Sequence, residues 1–371
     1  MPCTLITDVA PLRRLASQWA SLPPSTPFMS GGVLQRWLDL PSRHGDPFVV
    51  VVTDDQSRLL AVAPWVRLRD ALGVQRVTGL GGEDSWYHEP WLRPDADPEA
   101  VAQQIAAALR TARRQWDLLE LVLRPRQSRS LIDALARLGW SSASEIPWRQ
   151  HWTITWEVDW ETYWAERPSA LRSIITSRMK RLKQVPHRFY EAGPEAAREL
   201  LPLLCHLQAI SRPGLRDWEA YHAYMRLLAE DALDRNQGRM YVLEIDGATA
   251  ALQFQSYHGD RVYGLLRAFD PTFERYSPGS LLALWSFETM HKHGVRWVDL
   301  GPGHDDWKQK VRTASEETLR LRVGSSASLL GTGTIGLRDY LIPQLKQSAL
   351  TRYLRAHLEA LRGAKRTPHP V

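Results

Sequence analysis

The stretch RYSPGSLL, Arg275 to Leu282, sets a basic residue, a Ser-Pro-Gly turn and an apolar run in direct succession. Proline is favoured at the first helical position, and serine caps well just before it. The segment therefore predicts a helix start, with free backbone N–H groups beside an arginine. Such an end attracts phosphate, so Arg275, Ser277, Gly279 and Ser280 are candidate anion-binding residues. Pro278 supplies no N–H, which leaves Gly279, Ser280 and Leu281 as the expected donors.

Working outward, the helix opened here is expected to run to His293, with Gly294 as its cap. VRWVDLG (295–301) follows as a strand. Upstream, MYVLEI (240–245) and ATAALQFQSYH (248–258) flank Asp246-Gly247, a strong hairpin signal. A second turn at Gly259-Asp260 leads into RVYGLLRAFD (261–270), where Gly264 marks a bulge or a close ligand approach. The first half has the same order: FVVVV (48–52), LLAVAPWV (59–66), QRVTGLGG, a helix in DPEAVAQQIAAALRTARRQ, then WDLLELVL (116–123). The pattern of strand, hairpin, strand, helix, strand thus occurs twice, as an ancient duplication would leave it. Between the repeats lie HWTITWEV (151–158), a basic helix PSALRSIITSRMKRLKQ (168–184) and apolar helices around 194–210 and 217–235. The expected fold class is α/β (α+β), with a boundary near Ser144–Pro147. Residues 1–146 and 147–322 form the two units, and 323–371 a tail.

Length and composition agree with two soluble domains: 371 residues, 44% hydrophobic and 24% charged. With Cys3 and Cys205 the only cysteines, a disulfide framework and a thiolate metal cage are both excluded. The N-terminal stretch lacks a signal peptide's apolar core, and no window has the ~20 apolar residues of a membrane span. A cytoplasmic protein is expected. A net charge of +6 favours a polyanionic partner, whether nucleotide, nucleic acid or membrane surface.

The element order resembles the GNAT acyltransferase fold. TPFMSGGVLQRW, LLAVAPW, DPTFERYSPGSLL, HGVRWVDLGPG and DWKQK together resemble the CelD-type acetyltransferases, relatives of the FemAB-type aminoacyl transferases. The likeness covers roughly residues 26–313, and its SPG…DLGPG…WK series is the most specific part. It implies two tandem GNAT-like domains, the first degenerate, each a mixed, mostly antiparallel sheet flanked by helices. It also implies transfer of an acyl group from acyl-CoA to an amine of a small-molecule or sugar acceptor. On this reading the coenzyme's pyrophosphate rests on Arg275–Gly279, and Leu265 and Arg267 of the preceding strand also face the donor.

Lys308 matches the lysine that stabilises negative charge in the relatives. Read by itself, it is a salt-bridge partner for Asp305 or Asp306. His304 and Asp305 follow the Gly301-Pro302-Gly303 turn, and a histidine there titrates near neutrality, as proton removal from an amine requires. No second histidine pairs with His304 at a ligand spacing, so no metal is expected. EDSWYHEP (83–90) falls where the family carries a substrate-facing loop, which makes Asp84, Trp86, Tyr87 and His88 acceptor candidates, with Tyr263 from the later strand. Arg172 and Arg181, on the basic helix, match family arginines that would meet a sugar-nucleotide or tRNA phosphate. Two further readings stand beside this one. The first is a FemAB-type transferase using aminoacyl-tRNA. The second is a non-catalytic scaffold touching membrane surfaces through ALTRYLRAHLEALRGAK, whose Leu350, Leu354, Leu358 and Leu361 form an apolar stripe.

Overall fold

The computed structural model describes residues 1–20, 22–24, 26–40, 45–138, 143–211, 218–303, 306–329, 333 and 335. His304, Asp305 and the leucine stripe at 350–361 lie outside them. The chain runs β1 (Cys3–Ile6), α1 (Val9–Ala20), α2 (Gly31–Asp39), β2 (Asp46–Thr53), β3 (Leu59–Arg69), β4 (Gln75–Gly79), β5 (Trp91–Leu92), α3 (Pro98–Thr111), β6 (Leu118–Leu123), α4 (Arg129–Ala136) and β7 (Ala143–Thr155). It continues with α5 (Trp160–Ala165), α6 (Ser169–Leu182), β8 (His187–Ala192), α7 (Pro194–Ser211), α8 (Trp218–Asp234), β9 (Gly238–Ile245), β10 (Ala248–His258), β11 (Arg261–Phe269), α9 (Pro278–Lys292), β12 (Trp297–Pro302), α10 (Asp306–Val311) and β13 (Ala314–Gly324).

This is a mixed α/β fold on one mixed, mostly antiparallel sheet, ordered β1-β2-β3-β4-β6-β13-β7-β12-β11-β10-β9-β8, with β5 beside β3. The repeated plan is visible in it. The meander β2-β3-β4 is followed by α3 and then β6, parallel to β4. The meander β9-β10-β11 is followed by α9 and then β12, parallel to β11. A helix between parallel neighbours is the crossover that such pairing requires. Asp246 and Gly247 both take left-handed backbone (φ 51° and 77°), as a tight two-residue hairpin needs.

The segment expected as a boundary, Ser144–Pro147, is the start of the long strand β7, and the expected 322/323 boundary falls within β13. These two strands pair along ten positions, from Ala314 opposite Thr153 to Val323 opposite Ala143. β13 also pairs β6, so the last described strand completes the sheet of the first half. Its alternating Leu319, Leu321 and Val323 enter the core beneath α3 and α4. On the opposite face Arg322 pairs with buried Glu120, which Arg76 also reaches. A second core is shared between the halves, where α1 and α2 pack with α7 and α8. Ser30 and Asp231 bond across it at 2.7 Å.

Candidate active site

Three local features open a cavity in the second half of the sheet. β11 carries a bulge: Gly264 pairs Gln255 and Leu266 pairs Phe254, which leaves Leu265 as the extra residue. β11 and β12 pair in parallel only from Arg261–Trp297 to Tyr263–Asp299. Beyond that point the strands line opposite walls of a cavity of about 150 Å³. One wall is Gly264 to Arg267. The other is Val298 and Leu300 to Pro302, with Trp307 and Lys308 of α10 behind it. The first half contributes Glu83, Asp84 and Trp86, β7 gives Arg149, α7 and α8 give Gln208 and Tyr221, and β10 gives Gln253 and Gln255.

Gly301 fixes the geometry of the second wall. Its φ is 80°, and a Cβ there would stand 2.8 Å from the Trp86 ring, so glycine is required twice over. The Gly301 N–H donates to Asp299 Oδ1 at 2.7 Å. Lys308 Nζ donates to the carbonyls of Gly301 (3.3 Å) and Pro302 (3.1 Å), so the ammonium is held against this wall of the cavity. The Arg267 guanidinium lies over the Trp307 ring at 4.3 Å.

Under this wall is a wholly buried polar cluster. The Tyr87 hydroxyl donates to Asp299, and His151 Nδ1 lies 3.0 Å from that hydroxyl and 3.3 Å from Asp299 Oδ2. Burial alone would raise the Asp299 carboxyl. The His151 charge and the hydrogen bonds from His151, Tyr87 and Gly301 outweigh burial and hold it below its usual value. Burial, then the Asp299 charge, pushes the Tyr87 phenol well above its ordinary value.

Of the residues expected in the site, Asp84, Trp86, Leu265, Arg267 and Lys308 are brought together in the cavity. Others are placed differently. Tyr87 is committed to the buried cluster. His88, expected to face substrate, is a core clamp: Nε2–H donates to Gly82 O (2.8 Å) and Nδ1 accepts from Val122 N–H (3.1 Å). Tyr263 is buried among Phe28, His258 and Trp297, and burial raises its phenol to about 12. Arg172 donates to the Arg167 carbonyl, far along α6 from the basic cluster at its end.

That cluster surrounds the opening motif. Arg178 and Arg181 both donate to the Arg275 carbonyl, at 2.6 and 2.9 Å. Arg275 itself is exposed, with its guanidinium over Tyr276. Ser277 occupies the N-cap position, but its side chain makes no capping bond. Its backbone is left-handed (φ 53°), an uncommon conformation for a non-glycine residue. Its carbonyl accepts from Ser280 and Leu281 N–H, so two of the three expected donors are engaged and Gly279 N–H is left without an acceptor among the described residues.

Sequence reasoning missed Gln253, Gln255, Gln208, Tyr221, Glu83 and Arg149 in the cavity. The alternation LQFQ in β10 was the available signal, since two amides two residues apart share one face.

Residues 169–309, from the start of α6 into α10, match a family model described as an acetyltransferase (GNAT) domain. That stretch is similar to a GNAT domain, and it holds the bulge, the splayed strands and Lys308. Among solved structures the chain is similar to FemX, at 11% identity over 86% of this chain and 97% of that one, with a TM-score of 0.56. It is similar also to a C-terminal domain of a putative lysylphosphatidylglycerol synthetase from Agrobacterium fabrum, at 12% identity, 88% and 95% coverage and a TM-score of 0.53. A third is L-PGS from Bacillus licheniformis, at 12% identity, 91% and 98% coverage and a TM-score of 0.52. At these identities the likeness is one of fold. No curated protein matches the chain. No described helix is long and apolar enough to cross a membrane.

Proposed function

We propose that the chain is an N-acyltransferase that moves an acyl group from acyl-CoA to an amine of a small-molecule or sugar acceptor, by direct attack in the cavity. The observation that carries this is the bulge at Leu265 beside the splay of β11 and β12. It exposes strand backbone to a ligand in a place where the sheet would otherwise be closed. The amine nitrogen attacks the thioester carbonyl, the C–N bond forms, the C–S bond breaks, and the amine proton leaves as the thiolate gains one. Lys308 supplies positive charge to the oxyanion or the departing thiolate. His304, with Asp305, takes the amine proton. Arg275 and Gly279 N–H hold the donor's phosphates at the start of α9, whose Phe287 also lines the cavity. Asp84 and Trp86 position the acceptor.

A second reading, with aminoacyl-tRNA as donor, is supported by the basic end of α6, where Arg178 and Arg181 converge on the Arg275 carbonyl. We also propose two GNAT-like units meeting near residue 146, a cytoplasmic setting, and membrane-surface contact through the C-terminal leucine stripe. Thermal shift tests the donor, because a ligand that binds only the folded state raises the melting temperature. Acetyl-CoA or a longer acyl-CoA raising Tm supports the first reading. A rise with aminoacyl-tRNA alone selects the second. No response to either class removes the transferase proposal.

A further inference from the structure

We infer that the cavity reads an amide, so that the acceptor is an amine carrying a primary carboxamide within a few bonds of the nitrogen to be acylated. This rests on the acyl-transfer reading of the cavity and adds the acceptor's chemical class.

Gln253 and Gln255 line the cavity and are 5% and 0% exposed. Gln253 Oε1 and both Oε1 and Nε2 of Gln255 are enclosed, with no hydrogen-bond partner among the described residues. Buried polar atoms are nearly always paired, and leaving one unpaired is costly. Three on one face of one strand, all at a cavity, point to a ligand that completes them.

Their position supports this. Gln255 stands opposite Gly264 in the ladder, next to the bulge at Leu265. Gly264 has no side chain to fill the space before the amide. The nearest atom to a Cβ built there is the Asp299 carbonyl oxygen, at 3.4 Å. The Gln255 carboxamide therefore sits beside the splay, where the acyl group and the amine must meet.

The unpaired set is two acceptor oxygens and one donor nitrogen. A carboxylate would satisfy the nitrogen and set its lone pairs against the oxygens. A bare ammonium would satisfy only the oxygens. A primary carboxamide matches Gln255 in both directions, because its carbonyl accepts from Nε2–H while the N–H on the carbonyl's side donates to Oε1 at the same spacing in one plane; a secondary amide is trans and points these two groups opposite ways. Gln253 Oε1 takes one further N–H or O–H. An α-amino-acid amide and a β-amino-acid amide share this chemistry.

Isothermal titration of the full-length protein with two matched pairs of probes tests it. Alaninamide is compared with alanine methyl ester, and β-alaninamide with β-alanine methyl ester. At least one amide probe is expected to bind about tenfold more tightly than its counterpart, and the pair that responds gives the spacing between amine and amide. In Gln255→Leu the ratio falls to about one, while Tm holds or rises because the enclosed unpaired atoms are gone; Gln255→Met serves if the leucine variant does not fold. Failure of both amide probes to bind, equal affinities within both pairs, or a ratio that survives in the variant overturns the inference. Acetyl-CoA turnover is measured separately. Turnover without amide preference removes only the amide site, and amide preference without turnover of either donor class removes only the transferase reading.

Discussion

Mild acid should destabilise this protein through His88, and the direction follows from its two bonds. Nε2–H donates to Gly82 O, and Nδ1 must stay unprotonated to accept from Val122 N–H. Burial, outweighing the Gly82 bond and the Glu120 charge that favour the proton, lowers the imidazole from 6.5 to about 4. The unfolded chain therefore binds a proton that the folded chain refuses between those values, and stability falls as pH falls through that window. For a shift of this size the loss at pH 5 relative to pH 7.5 is about 2 kcal/mol, with a limiting slope near 1.4 kcal/mol per pH unit. His258, also lowered to about 4 by burial, acts in the same direction. Asp299 does not contribute in this range. Its depressed carboxyl adds stability that is present above 3.8 and lost only as pH falls further. Urea unfolding followed by tryptophan fluorescence at steps from pH 7.5 to 5 gives the slope directly. His88→Asn, whatever its own cost, should remove close to one proton from the linkage. A flat profile, or a variant that keeps the full slope, would refute the clamp. Because His88 holds the turn bearing Glu83 and Asp84, acid should also weaken acceptor binding before it unfolds the chain.

Lys308→Ala should lower kcat on the order of 100-fold, roughly 3 kcal/mol, with Tm little changed, and Lys308→Arg should rescue only in part because a planar fork cannot replace a point charge. Steady-state kinetics decides this, and an unchanged kcat in the folded alanine variant takes Lys308 out of the mechanism. Gly279→Val should raise the donor KM at least tenfold, since a Cβ there would stand 3.3 Å from Phe269 and a branched side chain adds bulk beside the N–H the donor needs; Arg275→Ala should do less. If both variants keep normal donor affinity, RYSPGSLL is a helix start and nothing more. Truncation after Thr313 should yield insoluble protein, because it strips β13 from between β6 and β7. It also removes Leu319, Leu321 and Val323 from the core, each contributing ~1.5–3 kcal/mol. A soluble, folded 1–313 chain would refute the shared sheet.

The elements legible in the sequence were those set by short-range rules. The Asp246-Gly247 hairpin, the start of α9 at Pro278, its end before Gly294 and the bulge near Gly264 all depend on residues within a turn of one another. β13 was not legible, although Leu319, Leu321 and Val323 alternate as a strand should. Its intervening Arg320 and Arg322 break up the apolar run, and only folding brings Glu120 to pair with Arg322. The joining of β7 to β13 links residues some 170 positions apart, which no local pattern encodes. The site was legible in part for the same reason. Asp84, Trp86 and Lys308 stand in turn-rich motifs, whereas Gln253 and Gln255 lie within an apolar strand. Tyr87 and His88 adjoin Trp86 in the same loop, and only packing decides that Trp86 faces the cavity while its neighbours turn inward.

The repeated plan raises the question of why a cavity opens in one half. In the first half the parallel pair β4 and β6 holds two register positions, Arg76–Leu118 and Val77–Leu119, before the strands part. The gap beyond them is filled by the chain itself. His88 N–H donates to Val122 O at 2.8 Å, and the His88 ring lies against Gly79, where a Cβ would stand 2.2 Å from it. The ring then spans from Val122 N–H to Gly82 O and satisfies the backbone that the splay would expose. In the second half the corresponding gap beside β11 has Gly264 and a bulge in place of a plug, and its backbone faces the cavity. The residue that closes the first gap also steadies the turn that walls the second, since Gly82 leads directly into Glu83 and Asp84. The first half thus serves as a wall of the second half's site, with its own gap plugged by His88.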